Sequence, residues 1–170
     1  MEMMMSSRHT GFASKTKVPV ERTKMEIDAL LAKHGATSRG IAVNDTDGTA
    51  SIGFVRGGLK YRLAVPLPKA EAVRKGDKPP GWPKWTDERK ADWTRAEWEQ
   101  RCRTRWRSML LLLKAKFEAV AMHVSSVEKE FMADLVLPDG QTVEASLGAA
   151  IHEALGSGKM PTLLLPEARS

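Results

Sequence analysis

The sequence predicts an α+β fold with an N-terminal helix, a three-stranded antiparallel meander, one long helix and then short C-terminal helices. Three observations lead to this order of elements. Apolar residues keep helical spacing over residues 20–34, a Gly-Gly pair separates two alternating stretches within residues 38–66, and residues 86–123 contain neither proline nor glycine. The chain has 170 residues, of which 42% are hydrophobic and 28% charged, so it is long enough to bury one core.

The first helix is predicted over residues 20–34. Ile27 and Leu31 recur at the spacing that places apolar side chains on one side of a helix. Pro19 suits the position before the first turn, and Gly35 is a typical C-terminal stop. These signals define both ends of the element.

The meander follows this helix and is predicted to have strands at residues 39–44, 49–56 and 59–65. Residues 45–48 have the composition of a turn. Gly57 and Gly58 form a two-residue hairpin loop, because glycine readily takes the positive φ angles that such loops require. The three strands are therefore joined by short connections.

The Gly57-Gly58 loop also fixes which residues face each other across the hairpin. It places Phe54 opposite Tyr61, and side chains alternate between the two faces of the sheet. One face is then small or basic and the other apolar, so the pairing is self-consistent. The apolar face carries Ala50, Ile52, Phe54, Tyr61, Leu63 and Val65.

The long helix is predicted over residues 86–123, with Thr86 as its N-cap. Residues spaced by three or four positions form a stripe that is predicted to be buried: Trp98, Cys102, Trp106, Met109, Leu113, Phe117 and Val120. Beyond this helix, the sequence predicts a short helix at residues 127–135 and a last helix at residues 142–155, stopped by Gly156.

Residues 19–156 are predicted to form a single α+β domain with a Pro-rich loop at residues 68–85. Residues 1–18 are predicted to be a flexible basic arm, and residues 157–170 a C-terminal tail. The single cysteine excludes a disulfide framework. The sequence has neither a membrane-spanning apolar stretch nor the apolar centre of a signal peptide, so a cytoplasmic protein without membrane contact is expected.

No catalytic group, metal site or cofactor is predicted from the sequence. Cys102 falls on the apolar stripe, where a buried and inert thiol is expected. The four histidines are not spaced as metal ligands with cysteines or carboxylates, and no glycine-rich phosphate loop is present. Acidic residues such as Glu128, Glu130 and Asp134 leave a metal-dependent nuclease as the third functional hypothesis.

The charge distribution favours an acidic partner. The net charge is +6, and residues 101–107 contain four arginines and no acid. These head groups could contact several phosphates, or they could pair with Glu97, Glu99 or the acidic residues of segment 124–155. Both alternatives stay open. The predicted nucleic-acid-binding residues are Lys60, Arg62, Arg101, Arg103, Arg105, Arg107, Lys114 and Lys116.

Two tryptophans occupy the Pro-rich loop. Trp82 and Trp85 lie close in sequence to Lys78 and Lys84. Aromatic rings beside cations can stack on unpaired bases. They can also pin a loop onto the body of a protein, and the sequence leaves both interpretations open.

Two resemblances bear on the chain as a whole. The order of a helix, three antiparallel strands and a helix resembles the double-stranded-RNA-binding domain, although the long link and the mid-helix arginines differ from that family. A second resemblance is carried by residues 20–24, 30–36, 105–107, 114–120 and 136–140. In these segments the chain is similar to an uncharacterised group of small proteins from phage and prophage genomes. This resemblance implies a phage or prophage setting and no particular activity.

The leading hypothesis from the sequence is a non-enzymatic nucleic-acid-binding accessory protein that contacts the phosphate backbone through a basic helix flank and sheet face. The alternative is a protein-interaction module, such as a phage inhibitor or adaptor of a host factor, without nucleic-acid binding. The expected partner is therefore a nucleic acid or a host protein in the host cell cytoplasm, and a homo-oligomer is compatible with both hypotheses.

Overall fold

The computed structural model describes residues 13–44, 47–76 and 78–158 and confirms the predicted α+β fold. The elements follow the predicted order. The helices are α1 at Val20–Lys33, α2 at Ala70–Lys75, α3 at Asp87–Ala121, α4 at Val127–Glu130 and α5 at Val143–Ser157. The strands are β1 at Ser38–Asn44, β2 at Thr49–Arg56 and β3 at Leu59–Pro66.

The three strands form an antiparallel sheet in the order β1-β2-β3, and the predicted hairpin register is confirmed. Phe54 lies opposite Tyr61, as the loop length requires. Gly57 and Gly58 take positive φ angles of 59° and 78°, which residues with a Cβ rarely adopt. Loop chemistry and side-chain alternation therefore select the same register.

The apolar face of the sheet, called here the inner face, is buried against α1 and α3. Four aromatic rings form its centre, with neighbouring centroids between 5.0 and 6.3 Å apart. Two come from the hairpin, one from α3 and one from the residue after α4: Phe54, Tyr61, Phe117 and Phe131. This aromatic cluster joins the sheet, the long helix and the C-terminal segment in one core.

The buried stripe of α3 differs in detail from the predicted one. Four predicted positions are buried, and Leu110, which the spacing did not select, is fully buried. The confirmed positions are Cys102, Trp106, Leu113 and Phe117. Met109 and Val120 lie at the border of the core and are half-buried.

The prediction that Trp98 is a core residue is wrong, because 37% of it is exposed. The reason is the length of α3. Its 35 residues span about 52 Å, whereas an eight-residue strand spans only about 27 Å. The N-terminal part of α3 therefore extends beyond the sheet. No described helix is long and apolar enough to cross a membrane.

The Pro-rich segment is more regular than predicted. It contains α2 and a single 3-10 turn at Trp82–Lys84. The ring of Trp82 packs edge-on against Trp93 of α3, with centroids 5.2 Å apart, and Lys78 Nζ donates to the carbonyl of Val73 at 2.7 Å. These contacts favour the interpretation in which the tryptophans pin the loop. The segment gains its helix α2 where Val73 is fully buried and α2 packs against α3.

The structure adds detail near both ends of the predicted domain. The last helix continues past Gly156 to Ser157 and is followed by Gly158, which has a φ of 67°. Residues 13–18 of the predicted arm lie against α3, where Gln100 Nε2 donates to the carbonyls of Ser14 and Thr16. Residues 1–12 of the arm and residues 159–170 of the tail lie outside the described residues.

The burial pattern of α3 leads to a test with two leucines of the same helix. Leu110 is fully buried, whereas 46% of Leu112 is exposed. We expect Leu110→Ala to lower the free energy of unfolding by about 2–5 kcal/mol, because the substitution leaves a cavity in the core. Leu112→Ala should cost less than about 1 kcal/mol. Urea denaturation followed by circular dichroism measures both, and equal losses would contradict the assigned helix phase.

Candidate functional site

The predicted nucleic-acid-binding residues of α3 are largely occupied by other groups of the chain. Arg101 Nε donates to Glu97 Oε1 at 2.8 Å, one helical turn earlier. Arg103 donates to Gln100 Oε1 at 2.8 Å from its Nη2 atom, and its Nη1 atom lies 3.8 Å from a Glu99 oxygen. The side chains of Glu97, Glu99 and Gln100 therefore contact the guanidinium groups of the two arginines that follow them in sequence.

Two further predicted residues hold α3 to its neighbours. Arg107 Nη1 donates to Glu26 Oε2 on α1 at 2.8 Å, so this pair crosses from one helix to the other. Lys116 donates to the carbonyl of Glu130, lies 3.6 Å from Asp134 and sits over the ring of Phe131. Both side chains are mostly buried, so their contacts stabilise the packing of α3 against α1 and the C-terminal segment.

The remaining four cations do not form one surface. Arg105 and Lys114 are exposed, but nine residues of helix separate them, which corresponds to a rotation of about 180°. Lys60 and Arg62 are exposed on the outer face of the sheet, opposite the face that α3 covers. Arg62 Nη2 also donates to the carbonyl of Gly140 at 2.8 Å. The structure thus does not bring the predicted helix flank and sheet face together.

The sheet has one edge that is covered and one that is open. At β3, Leu135 forms a bridge with Tyr61, and the Val136 amide donates to the carbonyl of Lys60 at 2.8 Å. Along the outer edge of β1, no strand of the described residues is paired. Every residue of β1 except Ile41 is exposed. An open edge of this kind offers its backbone groups to another strand.

Two depressions lie side by side along this open edge. The first, called here the edge groove, lies between α1 and β1 and has a volume of about 470 Å³. Its apolar lining is Met25, Ile27, Leu31 and Ile41. Met25 is apolar, yet 73% of it is exposed. The part of α1 that lines this groove is therefore not covered by other described residues.

The second depression, called here the indole pocket, has a volume of about 380 Å³. It lies where α1, the β1-β2 hairpin and α3 meet. Its apolar lining is Val20, Val43, Leu67, Pro68, Trp98, Cys102 and Trp106. Lys24 lines both depressions, and its Nζ atom lies 5.3 Å from the centre of the Trp106 ring.

The two depressions follow the alternation of β1. Ile41 lines the edge groove and Val43 the indole pocket, and both side chains belong to the inner face. A strand added beside β1 would therefore place one side chain in each depression, and these two side chains would be two positions apart. The sequence analysis missed this surface. Residues 38–44 contain neither proline nor lysine, and Arg39 is the one charged residue among them.

The candidate reactive groups of the sequence were Cys102 and the acidic residues of segment 124–155. Cys102 is buried, and burial raises the pKa of its thiol above the usual value, which disfavours the reactive thiolate. No cluster of three or more His, Cys, Asp or Glu side chains suited to a metal ion occurs within the described ranges. The acidic residues of the nuclease hypothesis are thus not gathered into such a group there.

Comparisons with known proteins do not assign the chain to a family or a function. No family model matches the chain, and no curated protein and no solved structure matches it significantly. The functional argument therefore rests on the geometry of the chain itself.

His34 leads to a test of how the core responds to pH. Its ring stacks on Phe117 with centroids 4.5 Å apart, and burial, with Lys33 and Arg56 nearby, holds its pKa below the usual value of about 6.5. The unfolded chain binds this proton more readily, so stability should fall as the pH drops from about 6.5 toward the lowered folded pKa. Urea denaturation at several pH values should show a smaller fall in His34→Phe.

The exposed His152 on α5 supplies the control for this experiment. His152→Phe should keep the pH dependence of the wild-type chain. An unchanged pH dependence in His34→Phe would show that the stacked ring does not cause the effect.

Proposed function

We propose that the chain is a protein-interaction module that receives an extended segment of a partner protein at the open edge of β1. The observation that carries this proposal is a pair of depressions beside Ile41 and Val43 of β1, each lined in part by apolar side chains. The edge groove is also lined by the ion pair of Arg39 and Asp28, whose nearest atoms are 2.8 Å apart. Strand addition at such an edge is a general mode of peptide recognition.

The backbone of β1 supplies the first part of the interaction. Residues 38–43 are extended, and their outer edge is not paired by any strand that the structure describes. A partner segment would satisfy these groups with main-chain hydrogen bonds, which provide affinity without selecting a sequence. The sheet would thereby gain a fourth strand next to β1.

The depressions supply the second part, which is selectivity. Side chains two positions apart on an added strand point to the same face and lie about 7 Å from each other. Those beside Ile41 and Val43 would enter the edge groove and the indole pocket. The partner segment should therefore carry apolar residues at alternate positions.

The engagement of the basic residues favours this function over nucleic-acid binding. Arg101, Arg103 and Arg107 already contact acids or amides of the chain. A phosphate would have to compete with these partners for the same guanidinium groups. If the resemblance to phage-type proteins holds, the partner is a protein of the host cytoplasm, and the chain acts as an inhibitor or adaptor.

Peptide selection tests the proposal directly. We expect a random dodecapeptide library displayed on phage to yield binders with apolar residues at alternate positions when panned against the full chain. Hydrogen–deuterium exchange should show that a bound peptide protects residues 38–44. Met25→Lys places a cation in the edge groove and should weaken binding about tenfold or more.

The matched control is Met122→Lys, because Met122 is also an exposed methionine, directly after the end of α3, with 64% of its surface accessible. It should leave peptide binding unchanged. Binders that protect another part of the chain, or that tolerate Met25→Lys as well as Met122→Lys, would contradict docking at β1.

A second candidate function is phosphate-backbone binding at the outer face of the sheet. This face carries Lys60 and Arg62, and none of its strand residues is acidic. Fluorescence polarisation with nucleic-acid duplexes tests it. A salt-sensitive signal that is lost in Lys60→Glu/Arg62→Glu and kept in Arg105→Glu/Lys114→Glu would support it. No binding at micromolar protein would exclude it.

A further inference from the structure

We infer that the chain has a second binding site, a cavity at the C-terminal ends of α1 and α3 that takes a small molecule carrying a phosphate group. The cavity, called here the cationic cavity, also borders the end of β2 and the start of α4, and no residue of β1 lines it. Its volume is about 700 Å³. The lining residues that carry the argument are Lys33, His34, Arg56, His123, Ser125 and Glu128.

The charges of the lining favour an anion. Lys33 and Arg56 are cations, whereas Glu128 is the one acidic residue of the lining. Neither cation forms an ion pair with an acid of the described residues. The ammonium, guanidinium and imidazole groups of the lining all donate hydrogen bonds, and oxyanions accept them.

The groups that titrate at the cavity respond to these cations. Burial is the main reason why the pKa of His34 lies below its usual value, and Lys33 and Arg56 lower it further, while Glu118 opposes them with the weakest effect. The pKa of Glu128 is lowered mainly by hydrogen bonds that its carboxylate accepts at the start of α4, and also by Arg56. A negative group placed between Lys33 and Arg56 would therefore meet a favourable potential.

The guanidinium group of Arg56 is held at the cavity by the chain itself. Its Nε atom donates to the carbonyl of His34 at 2.7 Å, and the ring of His34 stacks on Phe117. A Cβ atom added at Gly35 would lie 3.8 Å from the same Nε atom, so the guanidinium packs against the turn that follows α1. Such a fixed group loses little freedom when it binds an oxyanion.

His123 has a backbone conformation that suits glycine better. Its φ is 58°, and among the described residues every other positive φ belongs to glycine. The end of α3 is formed there by backbone bonds, in which the His123 amide donates to Val120 and the Val124 amide to Ala119. The imidazole is not needed for these bonds. A strained residue whose side chain lines a cavity indicates a role in binding.

A second unfavourable feature lies two residues further along the chain. Ser125 Oγ is buried and has no hydrogen-bond partner among the described residues. A buried hydroxyl without a partner lowers stability. Rotation of this side chain toward a bound anion would supply the missing partner. The strain at His123 and the unpaired hydroxyl of Ser125 therefore coincide at one cavity.

The size of the cavity indicates a ligand larger than a free phosphate ion. Its volume falls within the range for small-molecule sites, which is about 300–1,000 Å³. Lys33, His123 and Glu128 are exposed, so a ligand can reach the cavity from solvent. The phosphate group would lie near Lys33 and Arg56, and the remaining volume would accept the rest of the molecule.

A titration followed by NMR tests the inference with the full ¹⁵N-labelled chain. The probes are inorganic phosphate, adenosine monophosphate and, as the uncharged control, adenosine. Both phosphates should cause saturable shifts of the Gly35, Ser125 and Val127 amides at constant ionic strength, and adenosine monophosphate should bind at least as tightly as phosphate. Adenosine should cause no saturable shift below about 10 mM.

Three variants make the result specific to the cavity. Lys33→Gln and His123→Gly should each weaken the binding of adenosine monophosphate about tenfold, because each removes a donor to the phosphate. His123→Gly should leave the melting temperature unchanged or raise it, since glycine takes a positive φ without strain. The matched control is Lys129→Gln, because Lys129 is an exposed lysine of α4 that does not line the cavity. It should leave binding unchanged.

Several outcomes would overturn the inference. These are the absence of saturable shifts with both phosphates, equal binding of adenosine and its monophosphate, and equal weakening by Lys33→Gln and Lys129→Gln. The site is also independent of peptide docking at β1. Met25→Lys should therefore leave the binding of adenosine monophosphate unchanged, whatever it does to peptide binding.

Discussion

The contact between the apolar stripe of α3 and the inner face of the sheet determines most of this structure. Phe117 of α3 contacts both Phe54 of the hairpin and Phe131 after α4, so its ring joins three parts of the chain. Because α3 and α1 both occupy the inner face, no helix of the described residues packs on the outer face of the sheet, and α1 does not fully cover β1. The open edge and its two depressions are consequences of this arrangement.

The same contact explains why residues 101–107 of α3, which are strongly basic, form part of the packed fold. A helix that buries one stripe needs long side chains on its flanks, and arginine stems can cover apolar surface while their head groups stay near water. Glu97 and Glu26 then provide partners for Arg101 and Arg107. Net charge and clustering suggested phosphate binding, whereas Arg101 pairs within α3 and Arg107 joins α3 to α1.

The sequence predicted the features that depend on local rules. The hairpin register follows from a two-glycine loop and strict alternation, and Thr86 caps α3 as predicted because its side chain accepts from the Arg89 amide. The features that depend on distance in space were missed. The Arg107–Glu26 pair joins residues 81 positions apart, and the exposure of Trp98 depends on how far the sheet reaches along α3. Neither feature can be predicted from a short stretch of the sequence.

The extension of the N-terminal part of α3 beyond the sheet also determines what tryptophan fluorescence of this chain would detect. Trp82, Trp85 and Trp93 lie together at the end of α3 beyond the sheet, and Trp98 lines the indole pocket. The centre of the core is built from phenylalanine and tyrosine rings. Four of the five indoles therefore lie toward one pole of the molecule, and Trp106 is the one whose emission reports on the core that it shares with the hairpin.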